Sequence, residues 1–197
     1  LPHGLEKLPL AKIVSVHDLI YERYPEQYKR ADVIISRKKT IRACQVTDGI
    51  AAMSVQTKQD LIDLYKIPAD KITVTYQSCH EDFLIKKNAD ELQTVKSRYQ
   101  LPEQFFLSVG SIIERKGLLK ICQAMTLMRE TIPLLVIGRG GGEYEKQVKN
   151  FIHSHGLSSR VLFLNEHADA AHIDYKSGND FPAIFQQAKA LIYPSLF

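Results

Sequence analysis

The sequence predicts an α/β protein built on open, doubly wound parallel sheets, and three observations carry that expectation. Short β-branched apolar runs recur along the chain, segments with helical spacing fall between them, and glycines or turn residues follow several of the runs. With 197 residues, 45% of them apolar, there is enough material for one large core or two small ones, and a folded rather than a disordered chain is expected.

Ile13–Val16 is a short strand that ends at His17-Asp18, and ADVIIS at 31–36 is a second apolar cluster whose element the sequence leaves open. Ile50–Val55 reads as a buried strand. It is followed by a helix over Gln56–Tyr65, with Ser54 or Thr57 as its cap and Pro68 just beyond its end. Ile72–Tyr76 is the next strand. Strand, helix, strand in so short a span is a βαβ crossover, which implies parallel pairing. From Ile85 to Gln104 the chain turns polar and charged, with helical character over Ala89–Tyr99 and a Leu-Pro break at 101–102, so a linker or boundary is expected there. The pattern then restarts with strands at 105–109, 134–137, 161–164 and 190–193. Helices at about 118–130, 143–155 and 181–188 alternate with them.

Composition narrows the function classes. The formal charge of +4 is spread along the chain, with one knot at Arg37, Lys38, Lys39 and Arg42. A nucleic-acid binder would show a denser basic stripe interleaved with aromatics, so no nucleic-acid partner is expected. The knot reads as a solvated face or as a peripheral contact with an anionic lipid surface. Cys44, Cys79 and Cys122 are odd in number and widely spaced, which suggests neither a disulfide framework nor a zinc site and fits a reducing cytoplasm. No apolar run reaches the roughly 18 residues of a membrane span.

The segment FFLSVGSIIERKG at 105–117 carries the strongest chemistry. A strand breaks at Gly110, and adjacent Arg115 and Lys116 precede a helix, a pattern suited to a phosphate or diphosphate; a solvated turn is the plainer alternative. Gly138-Arg139-Gly140-Gly141-Gly142-Glu143 follows the next strand and imitates a dinucleotide fingerprint. However, Glu143 stands where its third glycine belongs, and the loop follows the second strand of its domain rather than the first. Its backbone would still suit a phosphate or ribose, or simply a permissive turn. His17 lies at a strand's carboxyl end, where open α/β sheets bind ligands. It reads either as a hydrogen-bonding group for a sugar hydroxyl or as a structural histidine. Asn165, Glu166 and His167 follow a later strand and suit contacts to a nucleotide base. The polar loop beyond, with His172, Asp174, Lys176 and Asp180, lacks metal-ligand spacing, so no metal is expected. Ser54, Thr57 and Asp60 fit helix capping, and Tyr193-Pro194-Ser195 fits turn chemistry, since Ser195 lacks a nucleophile's GxSxG setting.

In order and spacing, VHDLIYERYPEQY at 16–28, MSVQTKQDLIDLYKIPADKITVTYQSC at 53–79, FFLSVGSIIERKGLLKICQAM at 105–125, LLVIGRGGG at 134–142, LSSRVLFL at 157–164 and FPAIFQQAKALIYPSLF at 181–197 together resemble family 4, or group 1, of the retaining glycosyltransferases. The resemblance implies a GT-B fold of two Rossmann-like domains. Residues 1–84 would be the later half of the acceptor-side domain, 85–104 the interdomain segment, and 105–197 the first part of the donor-binding domain. It implies a catalytic set of His17, Arg115 and Lys116. The implied donor contacts are Gly110, Ser111, Arg115, Lys116, Gly138, Gly140, Asn165 and Glu166. Many relatives have an arginine directly after the first glycine, where this chain has Ser111, which shifts the diphosphate grip towards Arg115 and Lys116.

The implied reaction transfers a sugar from a UDP-, GDP- or ADP-sugar to a hydroxyl of a sugar, glycan or lipid-linked acceptor, with retention and without a metal cofactor. The enzyme would be cytoplasmic, with the inner membrane face as its peripheral contact. In that family PSLF runs on into EGFG and a second glutamate, so a chain ending at Phe197 is expected to be a partial protein, inactive on its own. A non-catalytic nucleotide- or partner-binding derivative is the alternative. A nicotinamide-dependent oxidoreductase would rest on the imperfect GRGGGE loop alone.

Overall fold

Every strand pairing is parallel, so each strand-to-strand connection must cross over a sheet face, and the helices between strands do this. The computed structural model describes residues 9–166 and 180–196. The chain divides into two units, Leu1–Ser78 and Cys79–Phe197.

The first unit holds β1 (Ile13–Val16), α1 (Ile20–Arg23), α2 (Arg30–Val46), β2 (Gly49–Ala52), α3 (Val55–Tyr65) and β3 (Ile72–Val74), with the strands ordered β1-β2-β3. The ADVIIS cluster lies in the first half of α2. Its β-branched residues are weak helix formers, but the parallel β1–β2 pairing demands a crossover, and α2 supplies it with Val33 and Cys44 turned into the interior. The second strand is shorter than its apolar run, because Ser54 leaves the sheet to cap α3 and accepts from the Thr57 amide at 3.0 Å. Thr57 has a different task, donating its hydroxyl to the His17 carbonyl at 2.9 Å. The expected third strand is also trimmed, ending at Val74, and Tyr76 is 73% exposed. Val16, Leu19, Cys44, Ile50, Ala52, Leu61, Ile67 and Ile72 form the core.

The second unit comprises α4 (Ala89–Tyr99), β4 (Phe106–Val109), α5 (Leu118–Leu127), β5 (Leu134–Ile137), α6 (Glu143–Ser154), β6 (Val161–Phe163), α7 (Asp180–Gln187) and β7 (Ala190–Leu191). The sheet order is β6-β5-β4-β7. All four residues of β5 are buried, as a strand covered on both faces requires. Leu134 and Val136 face a core shared with Cys122 and Met125 of α5 and Val148 of α6. Leu135 and Ile137 face the other core, with Val95 and Tyr99 of α4 and Ile184 of α7.

The polar 85–104 stretch is thus anchored in this unit by α4, which an Asn88–Glu91 capping box starts. The Tyr99 hydroxyl donates to Asp180 at 2.7 Å, and Gln186 donates to the Ile85 carbonyl at 2.8 Å while accepting from the Lys87 amide at 3.0 Å. Burial, then Asp180, pushes the Tyr99 phenol up to about 12, so it remains a donor to that carboxylate.

Candidate functional site

Strand order reverses at β4. From there the chain moves outward through β5 to β6, then returns to place β7 on the other side of β4. Such a reversal opens a crevice at the carboxyl ends of the two strands, where open α/β sheets bind ligands. Loops from all four strands of the unit meet near it.

The loops after β4, β5 and β6 are stitched together by backbone. Gly110 donates to the Ile137 carbonyl at 2.9 Å, Ile112 to the Arg139 carbonyl at 3.0 Å, and Gly138 to the Asn165 side-chain oxygen at 3.0 Å. Gly110 has φ +135°, which favours glycine, and a Cβ on Gly138 would lie 1.9 Å from the Gly110 carbonyl oxygen. Gly140 is confined by side chains instead, a Cβ there falling 2.6 Å from a Glu145 carboxylate oxygen. The amides of Gly110, Ile112 and Gly138 are spent within these loops, and what the glycines leave for an anion is close approach to the backbone.

Glu114–Lys116 form one 3-10 turn, ended by Gly117 at φ 72°. A Cβ on Gly117 would sit 2.8 Å from the Pro194 carbonyl oxygen, so the dibasic turn lies against the segment after β7. Arg115 approaches the Ser195 hydroxyl at 3.5 Å, and its carbonyl accepts from Leu196 at 3.0 Å. The Lys116 ammonium donates to the Tyr193 hydroxyl and stands 4.4 Å from the centre of that ring. The first turn of α5 follows at once and contains no acid, so its positive end is not neutralised from within. Two cations, a helix N-terminus and closely packed glycines make an electropositive cradle fit for a diphosphate.

Glu166 closes the row beside β6. Lys149 of α6 bonds it at 2.9 Å and Glu145 at 3.1 Å, and these hydrogen bonds, Glu166's first, raise the lysine's pKa. Ser111 is exposed on the loop after Gly110. The structure therefore gathers Gly110, Ser111, Arg115, Lys116, Gly138, Gly140, Asn165 and Glu166 along the carboxyl ends of β4, β5 and β6. His17 belongs to the first unit, exposed at the end of β1. There it lines an open cavity of about 270 Å³ with Asp18, Lys39 and Thr40.

Tyr193 and Ser195, read from sequence as turn residues, touch both cations of the dibasic turn. The available signal was their position directly after the strand that returns beside β4. His167, His172, Asp174 and Lys176 lie outside the described residues. Among the described residues no three His, Cys, Asp or Glu side chains are grouped to hold a metal, and no helix is long and apolar enough to cross a membrane.

Two parallel α/β units, the second with two cations and close-packed glycines at its switch point, are the kind of units from which GT-B proteins are built. The family model for glycosyl transferases group 1 matches residues 90–197, and the chain belongs to that family. Among its relatives is the O-antigen chain mannosyltransferase B of Escherichia coli, 25% identical over 202 residues that cover all of this chain and 49% of the relative. The serotype-specific mannosyltransferase WbdA of the same organism is 23% identical over 201 residues, covering 97% of this chain and 23% of WbdA. The chain thus spans half or less of these relatives. In fold it resembles Anabaena Alr3699/HepE solved in complex with UDP, with a TM-score of 0.68 at 16% identity, covering 94% of this chain and 47% of that one. It likewise resembles WaaG, a glycosyltransferase involved in lipopolysaccharide biosynthesis, with a TM-score of 0.64 at 16% identity, covering 96% of this chain and 52% of WaaG.

Proposed function

We propose that this chain contributes donor-side and acceptor-side residues to a retaining glycosyltransferase that moves a hexose from a nucleotide diphosphate to a hydroxyl of a growing glycan. The observation that carries this reading is the pairing of Arg115 and Lys116 in one turn beside Gly110 and Gly138, in a chain of this family. Departure of the sugar leaves negative charge on the diphosphate. Lys116, and Arg115 beside it, lower the energy of that charge most where it is greatest, in the transition state. Gly110, Ser111, Gly138 and Gly140 let the phosphates and ribose approach the loops closely, the Gly110 and Gly138 amides being spent on Ile137 and Asn165, and Asn165 and Glu166 flank the base. His17, exposed at the end of β1, is the first unit's candidate for hydrogen-bonding a sugar hydroxyl. No metal is needed when two cations neutralise the leaving group.

The mannosyltransferase relatives, which include an O-antigen enzyme, favour a mannosyl donor and a polysaccharide acceptor, and the UDP-bound neighbour supports a nucleotide donor. A cytoplasmic setting with peripheral membrane contact through the basic knot of α2 fits such an acceptor. Titration calorimetry of the 197-residue chain with UDP, GDP and ADP, each beside its monophosphate, tests the donor site. One diphosphate is expected to bind more tightly than its monophosphate, with no change on adding EDTA, and Lys116→Ala is expected to abolish the difference. Equal discrimination in Lys116→Ala overturns the assignment.

A further inference from the structure

We infer that Tyr193 is a positioning residue for Lys116, holding the ammonium at the mouth of the Gly110 loop before any diphosphate arrives; the inference rests on the donor-site reading above. A lysine on a surface turn has four rotatable bonds and samples many positions, so a cation meant to meet a developing charge must be held from outside. Tyr193 contacts it through the hydroxyl, which accepts from the ammonium and leaves the nitrogen 4.4 Å from the ring centre. An ammonium has three N–H groups, so one spent on the phenol leaves two for phosphate oxygens.

The tyrosine is half exposed, and its place is set by the backbone on either side of it. A Cβ on Gly110 would stand 3.8 Å from its ring, so the ring lies over the glycine that opens the loop. On the strand side, the preceding Ile192 amide donates to the Leu107 carbonyl of β4 at 2.7 Å. On the other side, the Pro194 carbonyl abuts Gly117, where the dibasic turn ends. Tyr193 therefore bridges β4, its glycine and its lysine. A rival role, in which the hydroxyl merely occupies a phosphate's place, predicts the opposite sign, because removing the side chain would then tighten binding.

The test compares wild type, Tyr193→Phe and Tyr193→Leu for binding of inorganic pyrophosphate and of UDP, GDP and ADP, with the monophosphates as controls. Tyr193→Phe removes the accepting hydroxyl and is expected to weaken diphosphate binding about three-fold, and Tyr193→Leu by about as much or more. Monophosphate binding should not move. In a Lys116→Ala background Tyr193→Leu should have no further effect, a coupling that loss of general structure would not produce. Unchanged or tighter diphosphate binding in Tyr193→Leu overturns the inference. If wild type binds none of these probes, the donor-site reading fails. The rate of reductive methylation of Lys116, followed by peptide mass spectrometry, then decides the contact: it should rise in Tyr193→Leu, and an unchanged rate overturns the inference.

Discussion

At position 138 the constraint is space, not backbone angle: φ there is not in the left-handed region, yet a single added carbon would collide with the Gly110 carbonyl. Backbone cannot swing aside as a side chain can, so the loops after β4 and β5 must separate to admit it. Gly138→Ala is expected to lower stability by about 2–3 kcal/mol in urea unfolding. It should also loosen the Asn165 bond that the Gly138 amide donates to. Gly141 provides the contrast. Nothing lies within 4 Å of a Cβ there, so it is constrained by its φ of +144° alone. Alanine and asparagine at 141 should both lower stability in urea unfolding, because φ +144° lies outside the left-handed helical region that asparagine tolerates. Glycines within one loop are thus held for different reasons, which their letters do not reveal.

Among elements, α1 depends on its neighbours more than on itself, since four residues cannot sustain a helix alone. Glu22 ties it to α2 through a two-pronged bond from Arg37 at 2.7 and 2.6 Å, and to α3 through the Tyr65 hydroxyl at 2.7 Å. The Arg37 hydrogen bonds, outweighing burial, hold the Glu22 carboxyl below its ordinary 4.5. A carboxyl whose folded pKa is depressed stabilises the fold above its unfolded pKa, and that contribution is lost as pH falls through the folded value. Stability should therefore decline as pH drops below about 4.5, and Glu22→Gln should flatten the decline. An identical pH profile in that variant, measured by chemical denaturation at each pH, would show that other carboxylates govern acid unfolding. Arg23 reinforces the same junction, its Nε bonding the fully buried Asp60 at 3.1 Å.

Across the whole molecule, the three cysteines report on the two units separately. Cys44 is buried in the first unit, Cys122 in the second, and Cys79 is exposed where the second begins. Burial raises both interior thiols, Cys122 to about 11, so neither forms a reactive thiolate near neutrality. Native protein treated with Ellman's reagent should release one equivalent rapidly, and the remaining two only on unfolding. Fast release of a second equivalent would show that one core opens under native conditions.

Most of the α/β alternation was legible in the sequence because buried parallel strands must be continuous apolar runs and their crossovers must be amphipathic. The runs at 13–16, 134–137 and 105–109 became β1, β5 and β4 with little change at their ends. ADVIIS was not legible, since a β-branched run suits either state until the pairing of β1 with β2 requires a crossover there. That Gly110, Arg115 and Lys116 share one loop could be read from their order alone, because closeness in sequence is closeness in a turn. What lies against them could not. Tyr193 is 77 residues from Lys116 and meets it only because β7 returns to the far side of β4. The sequence by itself determined the layers, the parallel pairing and the cationic loop, all of which follow from local pattern. Only the tertiary structure decided which strands are neighbours, and so which distant side chains surround the loop, because strand order depends on how the whole chain buries its apolar faces.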